Sequence, residues 1–165
     1  MSSGQDLIVR LYASADWDAV RDISIAAFAP IYAGFERALG HDLFLLVYLF
    51  WKATNESYLR SLCETDERER LLVAEVHGAP VGFVHYLLRM KNASGEIGLN
   101  AVHPGCQRRG IASRMYVRVS EILRANGIKF VQVGTGGDEA HTPAHRAYEK
   151  CGFVPIPLVR YYKKL

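Results

Sequence analysis

Between Leu71 and Leu123 the hydrophobic pattern changes period once, and the change falls at Gly110. Upstream, Leu71-Leu72-Val73-Ala74-Glu75-Val76 and Val81-Gly82-Phe83-Val84-His85-Tyr86 are two β-rich runs separated by His77-Gly78-Ala79-Pro80, which reads as a hairpin. A third run over residues 96–102 follows the turn Asn92-Ala93-Ser94-Gly95, giving three successive strands of an antiparallel meander. Downstream, Ile111, Met115, Val119, Ile122 and Leu123 recur at helical spacing, and Asn126-Gly127 supplies a stop. A meander that passes through a glycine-bearing turn into an amphipathic helix must pack that helix on the sheet, which restricts the fold to a layered α+β class.

The rest of the chain extends this frame. Residues 7–12 have strand composition, and Ser14 or Asp16 can cap a helix with Val20, Ile23, Ser24 and Ala27 on its apolar face. Residues 31–63 read as helical with breaks at Gly34 and Gly40, and residues 28–58 are rich in aromatics: Phe28, Tyr32, Phe35, Phe44, Tyr48, Phe50, Trp51 and Tyr58. Asp66-Glu67-Arg68-Glu69-Arg70 reads as a solvated connector. Residues 129–133 form a short strand. A helix then starts at His141 or Thr142, with Ala144, Ala147, Tyr148 and Cys151 on one face and Gly152 as its left-handed stop. The tail, residues 153–165, is expected to be extended, interrupted by Pro155 and Pro157. The order β-α-α-β-β-β-α-β-α-β describes one α+β domain over residues 1–165, an α/β sandwich with a mixed sheet.

Composition removes several function classes. Half of the 165 residues are hydrophobic and 22% are charged, which is globular rather than disordered. The net charge is only +3, without a dense Lys/Arg run or an interleaved aromatic platform, so no nucleic-acid partner is expected. Three cysteines without CxxC spacing argue against a disulfide framework or zinc knuckle, so no metal is expected and a reduced, cytoplasmic setting is the simplest reading. Residues 1–6 lack the features of a signal peptide. The most apolar stretch, residues 42–51, falls short of the ~20 residues that a spanning helix needs, so no membrane role is expected.

The segment around the period change also has the chemistry of an anion site. The first amides of a helix lack intrahelical acceptors and carry the positive end of its dipole, and small residues at Gly110 and Ala112 let a phosphate approach the backbone. Two known phosphate loops fail here. Gly105 and Gly110 have P-loop spacing, but Ile111-Ala112 stand where Lys and Ser/Thr are required. Gly134-Thr135-Gly136 begins a dinucleotide fingerprint, but Glu139 occupies its third glycine position.

Gln107-Arg108-Arg109-Gly110-Ile111-Ala112 resembles the Q/R-x-x-G-x-G/A signature of GNAT acetyltransferases, with the permitted alanine at its end. About thirty residues on, Ala144-His145-Arg146-Ala147-Tyr148-Glu149-Lys150-Cys151-Gly152-Phe153 is similar to the family's A-x-x-x-Y-E-K-x-G-F segment. The resemblance covers nearly the whole chain. It implies a mixed, mostly antiparallel central sheet of about seven strands flanked by about four helices. It also implies acetyl-CoA as cosubstrate, lying between splayed fourth and fifth strands. Ala101 and Val102 would pair with the pantetheine arm, and Gln107, Arg108, Arg109, Gly110, Ile111 and Ala112 would hold the pyrophosphate. Ala144 borders the same site, and His141 stands where many relatives carry an asparagine that contacts the pantetheine. Relatives are often dimers, so a homodimer is a further expectation.

The implied reaction is attack of a neutral amine on a thioester, which needs a base for the amine and an acid for the leaving thiolate. By resemblance Tyr148 is the acid, and Glu96, on a strand similar to that of histone-acetylating relatives, is the base. Glu75, His85 and His103 are further candidates. The expected activity is acetyl transfer to a primary amine of a small molecule or peptide in a ternary complex. The alternatives are a protein or peptide N-acetyltransferase and a non-catalytic CoA-binding sensor.

Overall fold

The computed structural model describes residues 7–165. Residues 1–6, read above as lacking a signal peptide, lie outside the described residues. The elements in chain order are β1 (Leu7–Leu11), α1 (Trp17–Leu39), α2 (His41–Tyr48), α3 (Trp51–Glu64), β2 (Leu71–Val76), β3 (Ala79–Arg89), β4 (Ser94–Val102), α4 (Ile111–Ala125), β5 (Phe130–Val133) and α5 (Thr142–Lys150). The hairpin between β2 and β3 turns on His77 and Gly78, whose φ angles of 51° and 79° suit a two-residue turn matched to strand twist.

One sheet of order β1-β2-β3-β4-β5 results, antiparallel except for the parallel β4–β5 pair. The expectation of about seven strands is corrected to five among the described residues. Residues 153–165 add no strand: Pro155 and Pro157 have no amide to donate to a ladder. The tail instead leaves Ile156, Leu158 and Tyr161 exposed, and Tyr162 reaches the Tyr48 hydroxyl at 2.7 Å. Among the described residues no helix is long and apolar enough to cross a membrane.

Alternation along β3 divides the core in two, with Val84 and Tyr86 facing α4 and α5 and Phe83 facing α1 and α3. On the first face Met115, Val119 and Leu123 of α4 cover the sheet, as their spacing predicts. On the second, Val20, Ile23 and Leu59 do so. Each fully buried aliphatic side chain contributes about 1.5–3 kcal/mol, so the sheet is held from both sides. The predicted break at Gly34 is absent, because α1 runs through it to Leu39. Gly40, at φ 76°, does end the helix.

Asp16 holds the N-cap position of α1 as expected, but its carboxylate makes no bond to the helix amides. Its carboxylate accepts from Arg10 Nη1 and Nη2 at 2.7 and 2.8 Å and from the Ala13 amide at 2.8 Å. Arg10 also donates to Glu75 at 2.7 Å, so a buried carboxylate ties the start of α1 to β1 and β2. The Arg10 hydrogen bonds hold the Asp16 carboxyl below the usual range. A depressed native value stabilises the fold above the unfolded pKa, and that stability is lost as pH falls through the native one. Asp16→Asn is expected to cost about 2 kcal/mol at pH 7. The difference from wild type should close as pH falls below ~4 in pH-dependent urea unfolding.

Candidate active site

The site grows from the end of the β4–β5 ladder. The last rung joins Ile97 to Val133, and β4 continues for residues 98–102 with β3 on one edge and no strand on the other. The chain then turns at residues 103–106, and Gln107 Nε2 donates back to the Val102 carbonyl at 3.2 Å, folding the loop onto the strand end. Arg108 (φ 62°) and Gly110 (φ 79°) are both left-handed, and this double reversal aims the chain into α4. The first helical bond in α4 runs from the Arg114 amide to the Gly110 carbonyl, and no side chain caps the helix. Its first-turn amides are therefore free for an anion beside the open edge of β4.

Of the predicted cofactor residues, Gln107, Arg108, Arg109 and Gly110 form the exposed loop, Ile111 is buried under α4, and Ala112 is partly buried. Ala101 and Val102 lie on the unpaired stretch of β4, with their side chains in opposite cores. Ala144 packs on the α4 side at the start of α5. His141 is committed in part: its Nδ1 is 2.6 Å from Asp138 Oδ2, and its ring lies against Phe35 at 6.2 Å between centroids. His145, in the second motif, donates from Nε2 to the Gly136 carbonyl at 2.7 Å and pins the loop after β5. Among the described residues no cluster could hold a metal ion.

Tyr148 is buried and projects from α5 to β4. Its hydroxyl accepts from Asn100 Nδ2 at 3.3 Å, which leaves the phenolic proton for another acceptor. Asn100 Nδ2 also donates to the Gly98 carbonyl at 2.9 Å, and its Oδ1 accepts from the Tyr116 hydroxyl at 2.8 Å. The Gly98 carbonyl can only accept, which fixes the orientation of the amide. The Tyr148 and Tyr116 rings stack at 4.8 Å, and burial pushes the Tyr116 hydroxyl well above its ordinary range, so Tyr116 stays a donor. Sequence reasoning missed Asn100 and Tyr116. A polar residue inside an apolar strand was the available signal at Asn100, but its partners come from two distant helices.

The base candidates separate. Glu96 precedes Ile97, which faces α4, so Glu96 turns toward the α1 face, as does His85 between Val84 and Tyr86, opposite to Asn100 and Tyr148. Its carboxylate accepts from Arg89 Nη2 at 2.7 Å. Glu75 is bound to Arg10, and the His103 ring accepts from the Gly105 amide within the turn. His85 is buried at 1% exposure, with Nε2 2.9 Å from Glu67 Oε2. Glu67, expected in a solvated connector, thus reaches into the sheet.

The sequence profile of the acetyltransferase (GNAT) family matches residues 30–153. A mycothiol acetyltransferase of Beutenbergia cavernae is 36% identical over 70 residues, which are 42% of this chain and 23% of that protein. The match with this curated relative therefore spans under a quarter of its length. Among solved structures, an aminoglycoside N-acetyltransferase in complex with CoA superposes with a TM-score of 0.64 at 14% identity, covering 99% of this chain and 98% of that one. The PaiA N-acetyltransferase of Thermoplasma acidophilum in complex with coenzyme A gives a TM-score of 0.67 at 14% identity, covering 91% and 88%. At such identities these two likenesses show the fold. The family profile spans most of the sequence, including both the glycine loop and Tyr148, and the chain belongs to the GNAT acetyltransferase family.

Proposed function

We propose that this chain transfers an acetyl group from acetyl-CoA to the primary amine of a small molecule or peptide, by direct attack in a ternary complex. The observation that carries the reading is the uncapped start of α4 beside the unpaired stretch of β4, with the Tyr148 hydroxyl held at that stretch by Asn100. The amides after Gly110 would take the pyrophosphate, and the edge of residues 98–102 would take the pantetheine arm as an added strand does, by backbone hydrogen bonds. Tyr148 would then donate its proton to the departing thiolate. Holding both reactants in register supplies much of the remaining acceleration.

The acceptor would enter past the 134–141 segment, where Phe35 lies against His141. Phe35 belongs to an aromatic cluster with Tyr32 and Tyr48, and Tyr32 stacks on Trp51 at 4.2 Å. That wall favours an amine with an apolar or aromatic body. A fold neighbour named an aminoglycoside N-acetyltransferase, solved both with CoA and with a CoA-linked acetylneamine analogue, supports an amine acceptor. Calorimetric titration with acetyl-CoA, with NADH and ATP as controls, tests the proposal. Binding of acetyl-CoA alone is expected. A folded protein that binds none of the three would refute it.

A further inference from the structure

The β3–β4 pairing carries an irregularity at the centre of the sheet. Val84 pairs with Asn100 and Tyr86 with Ile97, so the single residue His85 faces two, Gly98 and Leu99. This is a β-bulge, a device that re-aims side chains and ends strand pairing, often beside active sites. Here it lies one residue beyond the last β4–β5 rung, where the proposed cleft opens. Gly98 is required at this point, because a Cβ there would stand 2.9 Å from His85 Nδ1.

His85 Nδ1 is buried and has no hydrogen-bond partner. Its other nitrogen faces the Glu67 carboxylate, which only accepts, so Nε2 carries the proton and Nδ1 presents a bare lone pair to the bulge. The Glu67 carboxyl is held below its ordinary range, first by the Arg70 hydrogen bond. Desolvation lowers the His85 value against the pull of Glu67, which favours the neutral ring. The charged groups that act on the imidazole are Glu67, in direct contact, with Arg70 of the connector and Glu96 of β4 acting through space. An orphaned buried acceptor costs stability, so its retention at the bulge, next to the strand end where the cleft is proposed, calls for a function.

We propose that His85 and Glu67 form the proton-accepting pair for the amine, an inference that rests on the acetyl-transfer reading. The amine nitrogen bonds to the thioester carbonyl carbon and the C–S bond breaks. A water between amine and imidazole passes the amine's proton to Nδ1, and Glu67 stabilises the resulting imidazolium through Nε2–H. The thiolate takes its proton from Tyr148. Gly98 links the two halves: the imidazole fills the space its missing side chain leaves, while its carbonyl accepts from Asn100, which also holds the Tyr148 hydroxyl.

Histidine-imidazole NMR on the wild-type protein, with and without acetyl-CoA, tests this directly. The Nε2–H tautomer of His85 is expected. A proton resident on Nδ1 would overturn the pair irrespective of any assay. The pH profile of kcat/KM supplies the second readout. His85→Gln should lower kcat about 100-fold and abolish the acidic limb, with acetyl-CoA affinity within about 2-fold. Glu67→Gln should move that limb to lower pH, since the carboxylate raises the His85 value. Retention of the wild-type limb in His85→Gln, with its loss in Glu96→Gln, would assign the base to Glu96 instead. Failure of the wild type to bind acetyl-CoA would remove the acetyl-transfer reading, an outcome distinct from a misplaced proton.

Discussion

Gly110→Val is expected to raise the dissociation constant for acetyl-CoA at least ~100-fold while the protein remains folded. Gly110 stands at φ 79° at the entry to α4, and a Cβ built there meets no protein atom within 4 Å. The added volume therefore occupies solvent beside the first turn of α4, where the proposal puts the pyrophosphate. Loss of two charge-assisted hydrogen bonds at about 1.5–3 kcal/mol each corresponds to at least two powers of ten in affinity. The fold bears a smaller burden, about 1–2 kcal/mol for a side chain in the left-handed region, which lowers Tm by only a few degrees. Calorimetry alongside thermal melting separates the two effects. A folded variant with unchanged affinity would remove the loop from the cofactor site.

Tyr148→Phe should separate binding from chemistry. The phenyl ring keeps the stacking on Tyr116 and the edge contact with Phe153, and Asn100 keeps its bonds to Gly98 and Tyr116. Acetyl-CoA affinity is expected to stay within about 2-fold. Turnover is expected to fall by about 10²–10³, the usual worth of a positioned proton donor. Acceptors whose products leave thiolate-trapping reagents unaffected give the cleanest assay, since free CoA release reports each turnover. Undiminished turnover would assign the proton to another donor and leave Tyr148 as a packing residue.

Sequence periodicity captured what is decided locally. The turn at His77 and Gly78, the start of α4 after Gly110 and the apolar face of Met115, Val119 and Leu123 all stand where spacing and glycine chemistry put them. The motif around Tyr148 likewise fell on the inward face of α5. Gly34 was misread because a glycine inside a helix costs only about 1 kcal/mol, which the packing of α1 on the sheet overcomes.

Tertiary structure decided the rest, for a common reason: a hydrogen-bond partner is chosen by position in space, and sequence patterns speak only for neighbours along the chain. Tyr148 is oriented by Asn100, 48 residues away, and Glu67 meets His85 across 18 residues that include a hairpin turn. The composition of the tail suggested a strand, but a strand exists only where a partner edge and free amides coincide, and its prolines remove the amides. The bulge at Gly98 left no trace in hydrophobic alternation, because it is a mismatch between two strands rather than a property of either. The sequence alone thus determined the family and singled out the candidate phosphate loop and the candidate acid. The open edge of β4, the Asn100 network and the unpartnered nitrogen of His85 were decided by how distant segments meet.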